Sequence, residues 1–255
     1  MLIGLHGHAR SGKDTAGAHL THTHGCARFA FGDNLKNHMA AFDPRLGGTI
    51  SLTMALGQIE GGFDALTQHR IWGPEVRGLL KRYATTVRDV FGDTRTDAEL
   101  VDDLLTLDPM LEGRESIGTV LARHNGWEGA KDDRFDGGEV RRLLQAYGTE
   151  VARATWGPTV WVDLLATQIR TARARDVVIT DVRFDSEAEW ITGQGGFVLE
   201  VARPGTVPVN GHASEAGIDP TYIAATIRND SSITVLGQRL DTAVANLSAP
   251  QDLAA

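Results

Sequence analysis

The chain is poor in the features that mark secreted, membrane and polynucleotide-binding proteins. Its 255 residues include a single cysteine, Cys26, which excludes an internal disulfide. No segment has the apolar length of a membrane span or the layout of a signal peptide. Acidic residues outnumber basic ones, 33 to 25, and the net charge of −8 argues against a broad basic surface. We therefore expect a protein of the reducing cytoplasm that binds neither a membrane nor a polynucleotide.

What the sequence does contain is a glycine-rich turn directly after a short apolar strand. The run Gly7-His8-Ala9-Arg10-Ser11-Gly12-Lys13-Asp14-Thr15 follows residues 2–5 and has the spacing of a phosphate-binding P-loop. Its backbone N–H groups can surround a β-phosphate, and Lys13 adds a positive charge near the β- and γ-oxygens. The usual pattern ends in Gly-Lys-Ser/Thr, whose hydroxyl binds Mg²⁺, whereas this chain has Asp14 there, followed by Thr15. We expect a nucleoside triphosphate as ligand, with Asp14 able to reach the metal.

Alternating strand and helix patterns on both sides of a long helical stretch predict an α/β fold. The clearest strand is 176–181, whose continuous β-branched residues are typical of a strand that is covered on both faces. Further strands are predicted at 26–31, 196–201 and 225–228, and helices at 33–42, 140–154, 160–174 and 233–247, with Asp33 as the cap of the first. The alternation implies a doubly wound parallel sheet that binds ligands at the carboxyl ends of its strands.

Between residues 45 and 135 the strand patterns disappear. Pro74 opens one apolar helical stripe, and the capping box Thr96-Asp97-Ala98-Glu99 opens another. We predict a core of residues 1–44 and 136–255 and a helical insertion at 45–135. The insertion is interpreted either as a packing or dimerisation element, which its apolar stripes favour, or as a lid or substrate-binding arm. The tail from Ser248 is predicted to be loose.

Candidates for the chemistry follow from what phosphoryl transfer needs. Asp181 ends the clearest strand, where a carboxylate would hold Mg²⁺; the alternative is an aspartate that caps the next turn. Arg183 is placed to neutralise the transferring group. The acceptor needs its own cations, because both anions must be held in line. The candidates are Lys36, Arg141, Arg142 and Arg153, although each arginine is equally well a solvated surface charge. Arg142 and Arg153 are eleven residues apart, which places them near one face of a regular helix.

Two histidine-containing groups are given simpler interpretations. His19, His22 and His24 are interpreted as surface residues, because the last two diverge on a helix and no cysteine or carboxylate cluster accompanies them. His212-Ala213-Ser214-Glu215 lacks the oxyanion donors of a catalytic triad, and we interpret it as part of a mobile loop that contacts substrate or lid.

Taken in order, several segments resemble one known family. They are residues 7–15, 31–36, 142–153 and 180–189, together with 212–215 and 228–230, and 126–131 is similar as well. These segments are similar to the deoxynucleoside monophosphate kinases of bacteriophages, which also carry Gly-Lys-Asp-Thr in the P-loop. The stretches Leu-Gln-x-x-Gly-Thr-Glu and Asp-x-Arg-Phe are more specific than the P-loop. The part from about Arg45 to Glu115 is longer than the family usually carries, so the resemblance does not cover its role.

The resemblance implies a P-loop kinase that uses ATP and Mg²⁺ to convert deoxynucleoside 5′-monophosphates to diphosphates, in the host cytoplasm if the chain is phage-encoded. A homodimer is compatible with it. The implied ATP-binding residues are Gly7, Arg10, Ser11, Gly12, Lys13, Asp14 and Thr15. The implied dNMP-binding residues are Asp33, Lys36, Arg142, Gln145, Glu150 and Arg153, the catalytic residues Lys13, Asp181, Arg183 and Arg153, and the metal ligands Asp14 and Asp181. Two alternatives stay open: a small-molecule kinase like dephospho-coenzyme A kinase, and a non-catalytic nucleotide-binding module.

Overall fold

A computed structural model describes residues 1–209 and 211–249, so the predicted loose tail lies, after Ala249, outside the described residues. The chain opens with β1 (Leu2–His6), α1 (Lys13–His24), β2 (Ala27–Phe29) and α2 (Phe31–Phe42). Its middle contains β3 (Arg45–Leu46), α3 (Leu52–Gly57), α4 (Gly62–Gln68), α5 (Gly73–Phe91), α6 (Val101–Leu107), β4 (Glu115–Ser116), α7 (Ile117–Arg123), α8 (Trp127–Lys131), α9 (Gly137–Gln145), a π-helical turn (Ala146–Val151) and α10 (Ala152–Trp156). The last part contains α11 (Val160–Ala172), β5 (Val177–Val182), α12 (Asp185–Gly193), β6 (Phe197–Ala202), two 3₁₀ turns (Ala213–Glu215 and Pro220–Tyr222), β7 (Ile223–Arg228) and α13 (Ile233–Ser248).

Five strands form one parallel sheet in the order β2-β5-β1-β6-β7. The register places Ile3 of β1 opposite Val178 of β5 on one side and Phe197 of β6 on the other. Strands β1 and β5 are almost entirely buried, which accounts for their continuous apolar sequences. The sheet confirms the predicted doubly wound α/β fold. Because the strands are parallel, their carboxyl ends lie along one edge, where such folds bind ligands.

The chain divides into two compact units. The first contains residues 1–34 and the described residues from Thr159 onward, and the second is Leu35–Pro158. The first division falls inside α2 and the second after α10, whereas the predicted core and insertion meet at 44/45 and 135/136. The assignment of residues 45–135 as a substrate-side insertion stays a prediction.

The core of the first unit lies between the sheet and helices α1 and α13. Leu5 from β1, Leu20 from α1 and Leu240 from α13 are completely buried in it, with Val178 from β5. Burial of each such side chain contributes about 1.5 to 3 kcal/mol. The packing fixes α1 and α13 on the sheet whose strand β1 leads into the predicted P-loop.

The second unit has an aromatic core with a buried polar connection. The rings of Phe42, Tyr83 and Tyr147 lie within 6.4 Å of one another, centroid to centroid. The Tyr83 hydroxyl donates to Asp103 Oδ2 at 2.6 Å, and the Arg95 guanidinium donates to the same oxygen at 2.7 Å. Burial, and then the Asp103 carboxylate, raises the pKa of Tyr83, so the phenol stays protonated and remains a donor. The hydrogen bonds join α5 to α6 inside this unit.

Three local predictions differ from the structure. Helix α2 begins at Phe31, so Asp33 lies in its first turn and does not cap it. Residues 45–135 are not purely helical, because β3 and β4 pair there as a short antiparallel ribbon. The predicted helix 140–154 is interrupted by the π-helical turn, which breaks the 3.6-residue repeat that would place Arg142 and Arg153 on one face.

Candidate nucleotide-binding site

The P-loop joins the carboxyl end of β1 to the first residue of α1. Gly7 and Gly12 have backbone φ angles of 138° and 107°, which residues other than glycine rarely adopt. A Cβ atom at Gly7 would collide with the Val201 carbonyl oxygen, and one at Gly12 with the Asn229 side-chain amide. Both glycines are therefore required by the backbone conformation and by the close approach of neighbouring groups.

The P-loop lysine is buried and donates to its own loop. Lys13 Nζ donates to the carbonyl oxygens of Gly7 and His8, each at 2.7 Å. Burial, with the Arg183 charge as the next largest cause, lowers the pKa of Lys13 to about 8. Ser11 Oγ is also buried and has no hydrogen-bond partner among the described residues. The loop thus holds a buried cation and an unpaired hydroxyl, both suited to phosphate oxygens.

The other predicted ATP-binding residues line the same turn. Arg10 is exposed and has a φ of 62°, an uncommon conformation for a residue with a side chain. Asp14 is exposed in the first turn of α1, and Thr15 beside it is half-buried. Asn229, which lies in the family segment 228–230, donates to the Ser11 carbonyl at 2.8 Å and supports the loop.

Asp181 caps helix α2. Its Oδ1 accepts from the Phe31 N–H and its Oδ2 from the Gly32 N–H, both at 2.8 Å. A Cβ atom at Gly32 would lie 2.9 Å from Oδ2, which explains the glycine at this position. Asp181 is therefore a capping residue, but it caps a helix far earlier in the chain and not the turn after its own strand, as the alternative had it. A role on the metal is compatible with it, since each carboxylate oxygen has two lone pairs, and this role stays a prediction.

Arg183 is paired with a residue from the His212–Glu215 segment. Its Nη1 donates to Glu215 Oε1 at 2.5 Å and to the Ser214 carbonyl at 3.2 Å. Burial opposes ionisation of Glu215, but the Arg183 hydrogen bond and charge outweigh it and lower the pKa of Glu215. His212 Nδ1 accepts from the Ser214 N–H at 3.1 Å, so this histidine shapes the 3₁₀ turn. Glu215 is a partner that spacing alone does not reveal, because it lies 32 residues from Arg183.

The second unit contains a cluster of two lysines around one glutamate. Lys36 Nζ lies 3.6 Å and Lys131 Nζ 2.7 Å from the same Oε1 of Glu128. The Glu128 side chain is 71 % exposed, whereas the two lysine side chains are 25 % and 18 % exposed. Burial lowers the pKa of Lys131. The lysines are held in place while their carboxylate partner faces solvent, an arrangement in which an anion can replace it. Lys131 is not among the predicted site residues, although segment 126–131 is among the family segments.

The remaining predicted acceptor residues are not part of this two-lysine cluster. Arg142 donates to the carbonyls of Leu107 and Asp108 at 2.8 and 3.0 Å and pairs with Glu139. It therefore ties α9 to the end of α6. Arg153 donates to the Pro158 carbonyl. Three more residues complete the set: Asp33, paired with Arg28 at 2.8 Å, Gln145 at the end of α9, and Glu150, exposed on the π-helical turn. Their roles toward a dNMP stay predictions.

The sheet order and the loop after β1 define a P-loop protein of the α/β class. A family model described as deoxynucleotide monophosphate kinase matches residues 1–240. The chain therefore belongs to the deoxynucleotide monophosphate kinase family, a family of phosphotransferases, which confirms the resemblance seen in the sequence.

Two relatives extend this comparison. The chain is 25 % identical over 250 residues to the deoxynucleotide monophosphate kinase of Enterobacteria phage T4, covering 94 % of this chain and 96 % of that protein. It is 32 % identical over 105 residues to the enzyme of the same name from Escherichia phage RB69, covering 40 % of this chain and 43 % of that protein. None of the described helices has both the length and the apolarity needed to span a membrane.

Proposed function

We propose that the chain transfers the γ-phosphoryl group of ATP to the 5′-phosphate of a deoxynucleoside monophosphate, giving the diphosphate. The observation that carries the donor half is the P-loop, in which Lys13 is buried, donates to loop carbonyls and lies beside the unpaired Ser11 hydroxyl. The β- and γ-phosphates of ATP take over the lysine's hydrogen bonds from those carbonyls. With a pKa of about 8, Lys13 is mostly protonated at pH 7 and supplies its positive charge to the phosphates.

Mg²⁺ is the metal that suits the carboxylates beside this loop. The charges of Asp14 and Asp181 both act to raise the pKa of Lys13, and because such an effect falls off with distance, this supports a position of the two carboxylates near the lysine. Hard oxygen donors of this kind fit Mg²⁺. Asp14 and Asp181 would hold the ion, directly or through water, and the ion would neutralise charge on the β- and γ-oxygens. The Phe31 and Gly32 amides fix the Asp181 carboxylate in orientation, so it needs no rearrangement.

Arg183 is the residue of the first unit best suited to the developing charge on the transferring group. Its guanidinium is oriented by Glu215 and the Ser214 carbonyl, which use Nη1 and leave the other donors of the fork available for phosphate oxygens. A cation that is oriented before the reaction stabilises the transition state without a cost of reorganisation.

For the acceptor, we propose that the dNMP phosphate replaces Glu128 between Lys36 and Lys131. The two lysines already converge on one carboxylate oxygen, which is the contact that a phosphate oxygen would make. Glu128 therefore acts as an internal competitor when no substrate is bound. Arg142, Arg153, Asp33, Gln145 and Glu150 stay additional candidates for the acceptor side.

The acceptor assignment predicts that substitutions of the two lysines and of Glu128 change the dNMP KM in opposite directions. Lys36→Ala and Lys131→Ala should each raise the dNMP KM by roughly 10- to 100-fold, since a hydrogen bond to a charged group contributes about 1.5 to 3 kcal/mol. Glu128→Gln should lower the KM, because it removes the competing charge. Arg134→Ala is the matched control: Arg134 is exposed, lies three residues from Lys131 and has the Phe135 ring under its guanidinium.

Initial rates of ADP formation are to be measured with each of the four dNMPs, the corresponding ribonucleotides and dephospho-coenzyme A. Turnover with dephospho-coenzyme A and none with a dNMP would favour the small-molecule kinase. ATP binding without turnover of any of these substrates would favour the non-catalytic interaction module. An unchanged dNMP KM in both lysine variants would contradict the acceptor site while leaving the kinase assignment intact. The same rate measurement without Mg²⁺ tests whether the reaction requires the metal. Because the named relatives are phage proteins, we also propose that the chain acts in the cytoplasm of an infected host cell.

A further inference from the structure

Three side chains with metal-binding atoms meet on helices α1 and α13 of the first unit. His19 Nε2 lies 2.7 Å and His24 Nε2 2.8 Å from the same Oδ1 of Asp241. One ligand atom from each residue lies within 4.8 Å of the other two. The sequence gives these histidines no neighbouring carboxylate, but the fold supplies one from 217 residues beyond His24. The missing carboxylate, one of the two reasons for interpreting these histidines as surface residues, is therefore supplied, whereas His22 lies outside the three-residue group, as its divergence from His24 predicts.

The position of the His19 ring is fixed by the contact between the two helices. Gly237 lies one turn before Asp241 on α13, and a Cβ atom there would be 2.7 Å from Cε1 and 2.8 Å from Nδ1 of His19. The ring thus packs directly on the α13 backbone, where only glycine leaves room for it. Donors that are held in place before binding lose less conformational entropy when a ligand arrives.

We propose that His19, His24 and Asp241 form a Zn²⁺ site. Two imidazole nitrogens and one carboxylate oxygen are a common ligand set for zinc, with water in the fourth position. In a tetrahedral zinc site neighbouring ligand atoms lie about 3.3 Å apart, so Asp241 Oδ1 needs to move only about half an ångström away from each imidazole nitrogen. The two nitrogens themselves lie within 4.8 Å of one another, a distance that side-chain rotation can shorten. Both histidines bind as neutral imidazoles through Nε2, and any proton on these nitrogens moves to Nδ1 or to solvent. The side chains are 26 %, 25 % and 42 % exposed, which leaves a path for the ion and its water.

The site is separate from the nucleotide-binding loop. Helix α1 begins at Lys13 and rises about 1.5 Å per residue, so His19 and His24 lie about 9 Å and about 16 Å further along its axis. The ion would join the last two turns of α1 to α13, whose Leu240 is in the core of this unit. Its expected effect is therefore on stability, and it does not depend on the proposed function.

Zinc binding is to be measured on untagged, metal-free full-length protein by calorimetric titration with ZnCl₂, with thermal unfolding followed in parallel. We expect one Zn²⁺ per chain and a higher melting temperature with zinc. Asp241→Asn and His24→Gln should weaken binding by about tenfold or more and lose the thermal shift. The two substitutions keep side chains able to form hydrogen bonds, so both variants are expected to fold. His22→Gln is the control, because His22 is exposed on the same helix and lies outside the three-residue group.

Two results would overturn the site. One is the absence of saturable Zn²⁺ binding in the wild-type protein. The other is binding of equal affinity in the wild type, Asp241→Asn and His24→Gln, which would assign the zinc to scattered surface groups. Co²⁺ supplies an independent readout: its visible absorption should have the intensity typical of tetrahedral coordination in the wild type and His22→Gln, and should lose it in the two ligand variants.

Discussion

Replacing Lys13 by methionine is expected to change the pH dependence of folding in a defined direction. Burial is the main cause that lowers the pKa of Lys13 from its ordinary value of 10.5 to about 8. Below about pH 8, the native and unfolded chains both hold the proton, so this residue adds no pH dependence. Between about pH 8 and 10.5, the unfolded chain holds the proton and the native chain has lost it. The wild-type protein therefore gains stability as the pH rises through this window, and a methionine variant does not.

The two pKa values set the size of the effect. A difference of about 2.5 pKa units corresponds to about 3.4 kcal/mol over the whole window. Between pH 7 and 9.5, the wild-type free energy of unfolding should rise relative to that of Lys13→Met by about 2 kcal/mol. At pH 7, the difference in unfolding free energy between the wild type and Lys13→Met also includes the loss of the hydrogen bonds to the Gly7 and His8 carbonyls. The change of this difference with pH is therefore the better test of the pKa of Lys13.

The measurement is urea denaturation of the nucleotide-free protein at several pH values from 7 to 9.5. Lys81→Met is the matched control, since Lys81 is an exposed lysine on α5, and it should retain the wild-type pH dependence. Phosphoryl transfer by Lys13→Met should fall by orders of magnitude, because the charge on the phosphates is lost. If the unfolding free energies of the wild type and Lys13→Met changed in parallel with pH across this range, the argument from burial would be refuted.

Three further substitutions test other contacts. Asp181→Asn should remove one of the two charge-assisted bonds to the Phe31 and Gly32 amides, lowering stability by about 1 to 2 kcal/mol, and should reduce Mg²⁺-dependent kcat more than dNMP binding. An unchanged melting temperature would contradict the capping role, and a pure rise in the dNMP KM would move Asp181 to the acceptor side. Gly237→Ala should destabilise the protein, because the clash with the His19 ring outweighs the helix propensity of alanine. Gly138→Ala on α9, where the added Cβ would meet no other part of the described chain within 4 Å apart from its own helix backbone and chain neighbours, should instead stabilise the protein by up to about 1 kcal/mol. Equal shifts in melting temperature for both glycine variants would argue against the clash.

Features whose physical cause is local can be predicted from the amino-acid sequence alone. A P-loop depends on glycines and a lysine at fixed spacing within one turn, so Gly7, Gly12 and Lys13 are recognisable without any tertiary information. Strand β5 is buried on both faces, which imposes a continuous apolar run of the kind read at 176–181. The alternation of such strands with helices was sufficient to predict the parallel sheet, and ordered segments along the chain were sufficient to predict the family.

Which distant side chains meet depends on how the whole chain is folded. Asp181 reaches the α2 amides from 150 residues away, Arg183 meets Glu215, and Asp241 joins His19 and His24, because strands and helices distant in sequence pack side by side. Spacing rules also assume regular geometry, and the π-helical turn between α9 and α10 breaks the repeat on which the common face of Arg142 and Arg153 was based. Local sequence fixes which backbone a segment adopts, whereas the partners of a charged side chain depend on how the whole chain is packed.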